Sequence, residues 1–193
     1  MKLLCRLSGA ILSINLFAII RRLQNERERN MNQHVIKFCP QCGGGVVSEH
    51  LDGQLRLQCV YACGFVNWDN PTPVVAAIVE YDGQVLLARN AQWREGMFAL
   101  ITGFLERGET PEESVLREVN EELGLNGEIV EFVGNYAFHR ANQLLIVFHV
   151  IATGTICLNE ELVEYKLQNK EDVIPWDMGT GPALKDWLSS QLN

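Results

Sequence analysis

Residues 110–124, TPEESVLREVNEELG, leave the chain little choice of local structure. Thr110 is a helix N-cap residue type. Pro111 suits the first helical position, where a missing N–H costs nothing, and Glu113 stands three residues after the cap, where it closes a capping box. Gly124 stands where a left-handed residue ends a helix. The sequence therefore predicts a helix from Pro111 to the residue before Gly124. At about 100° per residue, Val115, Leu116, Val119 and Leu123 cover one arc of its surface, while Glu118, Glu121 and Glu122 cover a neighbouring one. The apolar arc calls for a core, and the acidic arc faces a cleft. Three carboxylates at i, i+3 and i+4, with Glu109 just before the helix, repel one another where lysine partners would have relieved them. A solvated acidic face is the plain alternative. Hard oxygen ligands clustered on one rigid face suit Mg²⁺ or Mn²⁺, with phosphates supplying the remaining ligands. Arg117 lies beside Glu121 on the wheel, so a salt bridge is its simplest role.

The same stretch satisfies a longer pattern, G-x5-E-x7-R-E-U-x-E-E-x-G-U with U aliphatic, through Gly103, Glu109, Arg117, Glu118, Val119, Glu121, Glu122, Gly124 and Leu125. A chance match of its fixed positions is on the order of 10^-8 to 10^-7 at ordinary residue abundances. It resembles the Nudix box at every position. The resemblance implies Glu118 and Glu122 as principal Mg²⁺ or Mn²⁺ ligands, with Glu121 assisting and the Gly103 carbonyl completing the shell. Glu109 and Arg117 would orient the glutamates. The implied reaction is attack of water on a phosphorus of a diphosphate. In relatives a downstream glutamate serves as base or extra ligand. Glu161, in the run Asn159-Glu-Glu-Leu-Val-Glu164, matches it best and Glu164 second; without the resemblance, residues 160–164 read as a solvated turn.

VVAAIVEYDGQVLLARN reads as two strands joined at Asp82-Gly83, and NGEIVEFVGNYAFHR and NQLLIVFHVIATGTICL supply further strands. Cys157, in the last of these, reads as buried in a strand, and Cys5 as an ordinary residue. Leu184, Trp187 and Leu188 predict a C-terminal helix packed on the sheet. The expected fold is α/β: a mixed sheet between helices, the α/β/α sandwich that the family resemblance also implies, over residues 72–193.

Ahead of it, over residues 38–70, Cys39-x2-Cys42 and Cys59-x3-Cys63 stand 16 residues apart, the spacing of a four-thiolate zinc site. Gly43 and Gly64 follow the second Cys of each pair and let backbone N–H groups approach sulfur. VVSEHLDGQLRLQC between them reads as a hairpin turning at Asp52-Gly53. Two disulfides, or four unrelated thiols, are the alternatives. Four cysteines close the zinc shell, so the unit reads as structural, and its hairpin as a candidate dimer or substrate-edge surface. A four-cysteine ribbon joined to this box is similar to the zinc-containing group that includes NADH pyrophosphatase, over about residues 38–177. Its NADH-cleaving members carry Ser-Gln-Pro-Trp-Pro-Phe-Pro-x-Ser after the box. This chain has GNYAFHRANQ there, residues 134–143, so ADP-ribose, FAD or another nucleoside diphosphate derivative is at least as good a substrate as NADH. Tyr136, Phe138 and His139 are candidates to stack on its base, with core or strand-edge positions as the plain alternative.

Charge narrows the partners. The net charge of −8 hides six Lys/Arg against two Glu in residues 1–30, leaving ten Lys/Arg against 22 Asp/Glu from Met31 onward. So acidic a body disfavours non-specific nucleic-acid binding; the family resemblance implies a small-molecule nucleotide substrate, and the expected location is the cytoplasm. The apolar run from Leu7 to Ile20 is 14 residues, against the roughly 20 a membrane span needs. It is followed by RRLQNERERN instead of a small-x-small cleavage site. An upstream extension before a folded start at Met31, a membrane-proximal anchor and an export signal all stay open. Two other functions remain beside hydrolysis: a non-catalytic ligand sensor on the same fold, expected to have lost box glutamates, and an RNA (NAD) cap hydrolase.

Overall fold

The computed structural model describes residues 36–191, so the expectations for residues 1–30 lie outside the described residues. The chain divides between Asn70 and Pro71 into two units.

The first unit carries a three-stranded antiparallel sheet, β1 (Val46–Leu51), β2 (Gln54–Cys59) and β3 (Val66–Asn67), in the order β1-β2-β3. Asp52 and Gly53 both take positive φ, 50° and 78°, and Leu51 pairs with Gln54 across them. This is the two-residue turn whose twist matches that of the flanking strands.

In the second unit, strands β4 (Thr72–Tyr81), β5 (Gln84–Asn90), β6 (Ile101–Phe104), β7 (Asn126–Phe138), β8 (Gln143–Thr153) and β9 (Leu162–Gln168) make one six-stranded sheet, ordered β7-β8-β4-β5-β9. The sheet is mixed, because β4 and β8 run parallel while the other pairs are antiparallel. Strand β4 shares its other edge between two partners: β6 pairs with residues 74–77, and β5 with residues 79–81. That division brings Gly103, opposite Val75, onto the middle of the sheet.

Side-chain alternation along β4 builds two cores. Val75, Ala77 and Val79 join Val115, Val119 and Leu123 of helix α1 (Pro111–Leu123) on one face; Val74, Ala76 and Ile78 join Leu184, Trp187 and Leu188 of helix α2 (Gly181–Gln191) on the other. Six consecutive fully covered residues on one strand mark the centre of an α/β/α sandwich, since only a strand covered on both faces is apolar throughout. Under α2 the buried His149 bonds Glu80 at 3.0 Å, and Lys170 bonds the same carboxylate at 2.9 Å, so charge entering this core is paired. Cys157 departs from its expected place. It is exposed, in the loop after β8, because the strand ends at Thr153 and the chain turns away to meet the end of α1.

Candidate active site

Helix α1 forms as its sequence dictates. Thr110 Oγ1 accepts from the Glu113 N–H at 3.2 Å, and Glu113 Oε2 accepts from the Thr110 N–H at 2.9 Å. Gly124, at φ 67°, closes the far end. A Cβ there would meet Cys157 Cβ at 3.1 Å, so glycine serves both the backbone conformation and the close approach. Two carbonyls left unpaired at the helix end accept from the following loop: Leu123 O from the Cys157 N–H at 2.8 Å and Glu122 O from the Asn159 N–H at 3.1 Å. Those bonds carry the chain back past the acidic side of α1 and set Glu161 beside it.

Arg117 is the hub of that side. Its Nε and Nη2 donate to the two oxygens of Glu109 at 2.6 and 3.0 Å, and its Nη1 reaches Glu118 Oε1 at 2.7 Å and Glu121 Oε2 at 3.0 Å. Nη2 also donates to the carbonyl of Phe104 and the hydroxyl of Ser114, both at 3.2 Å. A guanidinium fork suits this work, since its donors lie in one plane and fix several acceptors at once. The hydrogen bond from Arg117, outweighing burial, draws Glu109 down to about 2. Glu118 is raised by burial, against the pull of Arg117 and with a push from Glu121 and Glu161. Its carboxyl group rests on Gly103, where any Cβ would overlap it. The glycine is therefore a steric requirement of Glu118.

Glu122 is the most perturbed carboxylate. Only 8% exposed, it is pushed up to about 8, first by burial and then by the charges of Glu118, Glu161 and Glu121. Arg117 does not bond it. Among the described residues no basic side chain bonds it, and a buried carboxylate facing three others is costly as an anion without a cation. Glu118, Glu121, Glu122 and Glu161 bear on one another's charge along this side of α1, where Glu118 lies against the Gly103 backbone, and carboxylates are the hard oxygen donors that a divalent ion takes. Glu164, the second choice downstream, is held instead by Arg89 at 2.9 Å on the neighbouring strand.

The aromatic candidates lie elsewhere. Tyr136 and Phe138 pack against the α2-side cluster, where the Tyr136 hydroxyl donates to Asp186 at 3.0 Å, and His139 is exposed in a short 3-10 turn after β7. A groove of about 360 Å³ at the N-terminal end of α1, lined by Phe132, Leu144, Ile146 and Phe148, includes none of the site glutamates. Ser114, the Phe104 carbonyl and Asn159 join the site beyond the residues that the sequence pattern marks. Ser114 stands one turn before Glu118 and Asn159 two residues before Glu161; only the Asn-x-Glu spacing, an Asx-turn signal, was there to be read.

In the first unit the Sγ atoms of Cys39, Cys42, Cys59 and Cys63 lie within 4.8 Å of one another. The closest approaches, 3.4 Å for Cys42 to Cys59 and 3.5 Å for Cys39 to Cys63, exceed a disulfide bond of about 2.05 Å and suit sulfurs sharing one ion. The Tyr61 N–H points at Cys59 Sγ at 3.4 Å and, with the neighbouring thiols, lowers Cys59 to about 7. Cys42 is pulled down by the Gly44 N–H but driven up to about 12 by the other sulfurs and by burial. Gly43 and Gly64 hold the two knuckles at φ 73° and 93°.

The unit with this sheet covered on both faces and the glutamate helix on one of them matches the family model of the NUDIX domain over residues 70–187; the chain belongs to that family. Among curated relatives it is 34% identical over 113 residues to the NAD-capped RNA hydrolase NudC of Vibrio parahaemolyticus, covering 58% of this chain and 42% of that one. It is 29% identical over 140 residues to the protein of the same name from Pseudomonas aeruginosa, covering 72% of this chain and 49% of that one. The match thus spans less than half the length of these relatives. A NUDIX hydrolase from Nitrosomonas europaea superposes with a TM-score of 0.70 at 28% identity, over 81% of this chain and 93% of its own. The fold also matches an ADP-ribose pyrophosphatase from Streptococcus suis, with a TM-score of 0.54 at 20% identity, over 64% of this chain and 94% of its own.

Proposed function

We propose that the protein hydrolyses the diphosphate bond of a small nucleoside diphosphate derivative such as ADP-ribose, FAD or NADH, with Mg²⁺ or Mn²⁺ bound at the α1 carboxylates. The observation that carries this reading is Glu122: a buried carboxylate, raised to about 8 by burial and by three other carboxylates, with no bonding arginine or lysine among the described residues. Glu118 and Glu122 would hold the ion, with Glu121 and the Gly103 carbonyl as further donors, and an ion there would supply polarisation of phosphoryl oxygens, easier deprotonation of water and stabilisation of the leaving oxygen. Arg117, fixed by Glu109, keeps Glu118 and Glu121 aimed at one point. Glu161 accepts the proton of the attacking water as its oxygen bonds to phosphorus and the bridging P–O bond breaks. The products are a nucleoside monophosphate and a phosphorylated fragment. Cys39, Cys42, Cys59 and Cys63 hold Zn²⁺ as a structural ion, since four thiolates leave no open position for chemistry.

A second reading is hydrolysis of NAD-capped RNA, favoured by the similarity to relatives that are named NAD-capped RNA hydrolases. The acidic body opposes binding of an RNA chain but leaves a cap pocket open. The test incubates the full chain with Mg²⁺ or Mn²⁺ and NADH, ADP-ribose, FAD, CoA, nucleoside triphosphates and NAD-capped RNA, and separates the products by chromatography. Monophosphate release from one of the small diphosphates, lost in Glu118→Gln and Glu122→Gln, supports the first reading. Decapping without small-molecule turnover supports the second. No product from any of them returns the fold to ligand sensing.

A further inference from the structure

Glu161 belongs to no helix or strand, yet its charge bears on both Glu118 and Glu122. A glutamate on a free loop samples many positions, so something must fix this one. Its backbone is held on both sides. The Glu161 N–H donates to Asn159 Oδ1 at 3.0 Å, the Leu162 N–H donates to the same oxygen at 3.3 Å, and the Glu161 carbonyl accepts from the Ala91 N–H at 2.8 Å. The Asn159 N–H, in turn, donates to the carbonyl of Glu122. One residue therefore ties the backbone of Glu122, whose side chain is the buried carboxylate, to that of Glu161.

We infer that Asn159 is a positioning residue for the reaction: with one backbone bond and one side-chain oxygen it sets Glu161 at a fixed place beside the α1 carboxylates. This rests on the reading of Glu161 as proton acceptor. The chemistry explains the choice of side chain. An amide oxygen has two lone pairs for two N–H donors, as an aspartate would, but adds no further negative charge to a group of four carboxylates. An aliphatic side chain would leave two N–H groups without partners, one of them on the buried Leu162.

The test uses the full chain with Asn159→Ala, Asn159→Ser, Glu161→Gln and the double variant Asn159→Ala/Glu161→Gln. Asn159→Ala is expected to lower kcat about tenfold or more with KM within about threefold, and Asn159→Ser, whose hydroxyl accepts the same N–H groups, to recover most of that loss. In the Glu161→Gln background, Asn159→Ala is expected to cost less than about twofold, because a residue acting through another adds little once the other is gone. A readout independent of turnover is amide hydrogen exchange: the Glu161 and Leu162 amides exchange at least about tenfold faster in Asn159→Ala while those of α1 keep their protection. Multiplicative losses in the double variant, or unchanged protection at Glu161, overturn the inference. A Glu161→Gln variant with wild-type kcat overturns it too, without touching the roles of Glu118 and Glu122, which their own variants test.

Discussion

Glu122→Gln separates the electrostatic burden of the site from its shape. In the folded chain this carboxyl is raised from 4.5 to about 8, first by burial and then by Glu118, Glu161 and Glu121. Between those limits the folded state binds the proton more tightly than the unfolded chain does, so stability is full below about pH 4.5 and falls as pH rises toward 8. At 1.36 kcal/mol per unit the whole penalty is about 5 kcal/mol, of which about 3 kcal/mol is in force at pH 7. That is a large share of a typical stability of about 5–15 kcal/mol. Gln keeps the volume and cannot ionise. In chelator, urea unfolding from pH 5 to pH 8 should show the wild-type chain losing about 3 kcal/mol more than Glu122→Gln, with the two nearly equal at the acid end. Saturating Mg²⁺ should restore most of the loss in the wild-type chain and little in the variant. Parallel stability curves for the two proteins in chelator would refute the reasoning.

Three further perturbations address other parts of the account. Gly103→Ala puts a methyl group where the Glu118 carboxyl rests; thermal melts should show a loss of about 1–3 kcal/mol, and kcat should fall about a hundredfold as Glu118 is displaced. Arg117→Met removes the bonds to Glu109, Glu118 and Glu121 together, and a lower urea midpoint is expected, with Glu109 returning toward its ordinary carboxylate range in an NMR titration. Cys39→Ser should lower bound zinc from about one ion per chain to near zero by elemental analysis, with loss of the β1–β2 hairpin amide dispersion, because such small units fold on their metal.

Local chemistry was legible and distant pairing was not. Thr110, Pro111, Glu113 and Gly124 state the limits of α1 in the sequence, and the structure begins and ends the helix there. Asp52-Gly53 and Asp82-Gly83 announce their hairpins because both residues of each turn take positive φ, which few side chains tolerate. The parallel pairing of β4 with β8 joins residues about seventy apart, and nothing in either apolar run names its partner. The division of one β4 edge between β5 and β6 is hidden for the same reason, though it sets Gly103 beneath Glu118. Helical spacing placed Arg117 beside Glu121. Its bonds to Glu109, Ser114 and Phe104 O depend on how the chain before the helix folds back. Cys157 shows the converse: the apolar pattern runs on through Gly154 in the sequence, whereas the strand ends at Thr153.

Divalent-cation binding at α1 is most directly tested by calorimetric titration of Mn²⁺ into the zinc-loaded full chain, alongside a Glu118→Gln/Glu122→Gln variant. Saturable uptake by the wild-type chain that disappears in the variant is the predicted result. No uptake by the wild-type chain, or uptake unchanged when both carboxylates are gone, would contradict it.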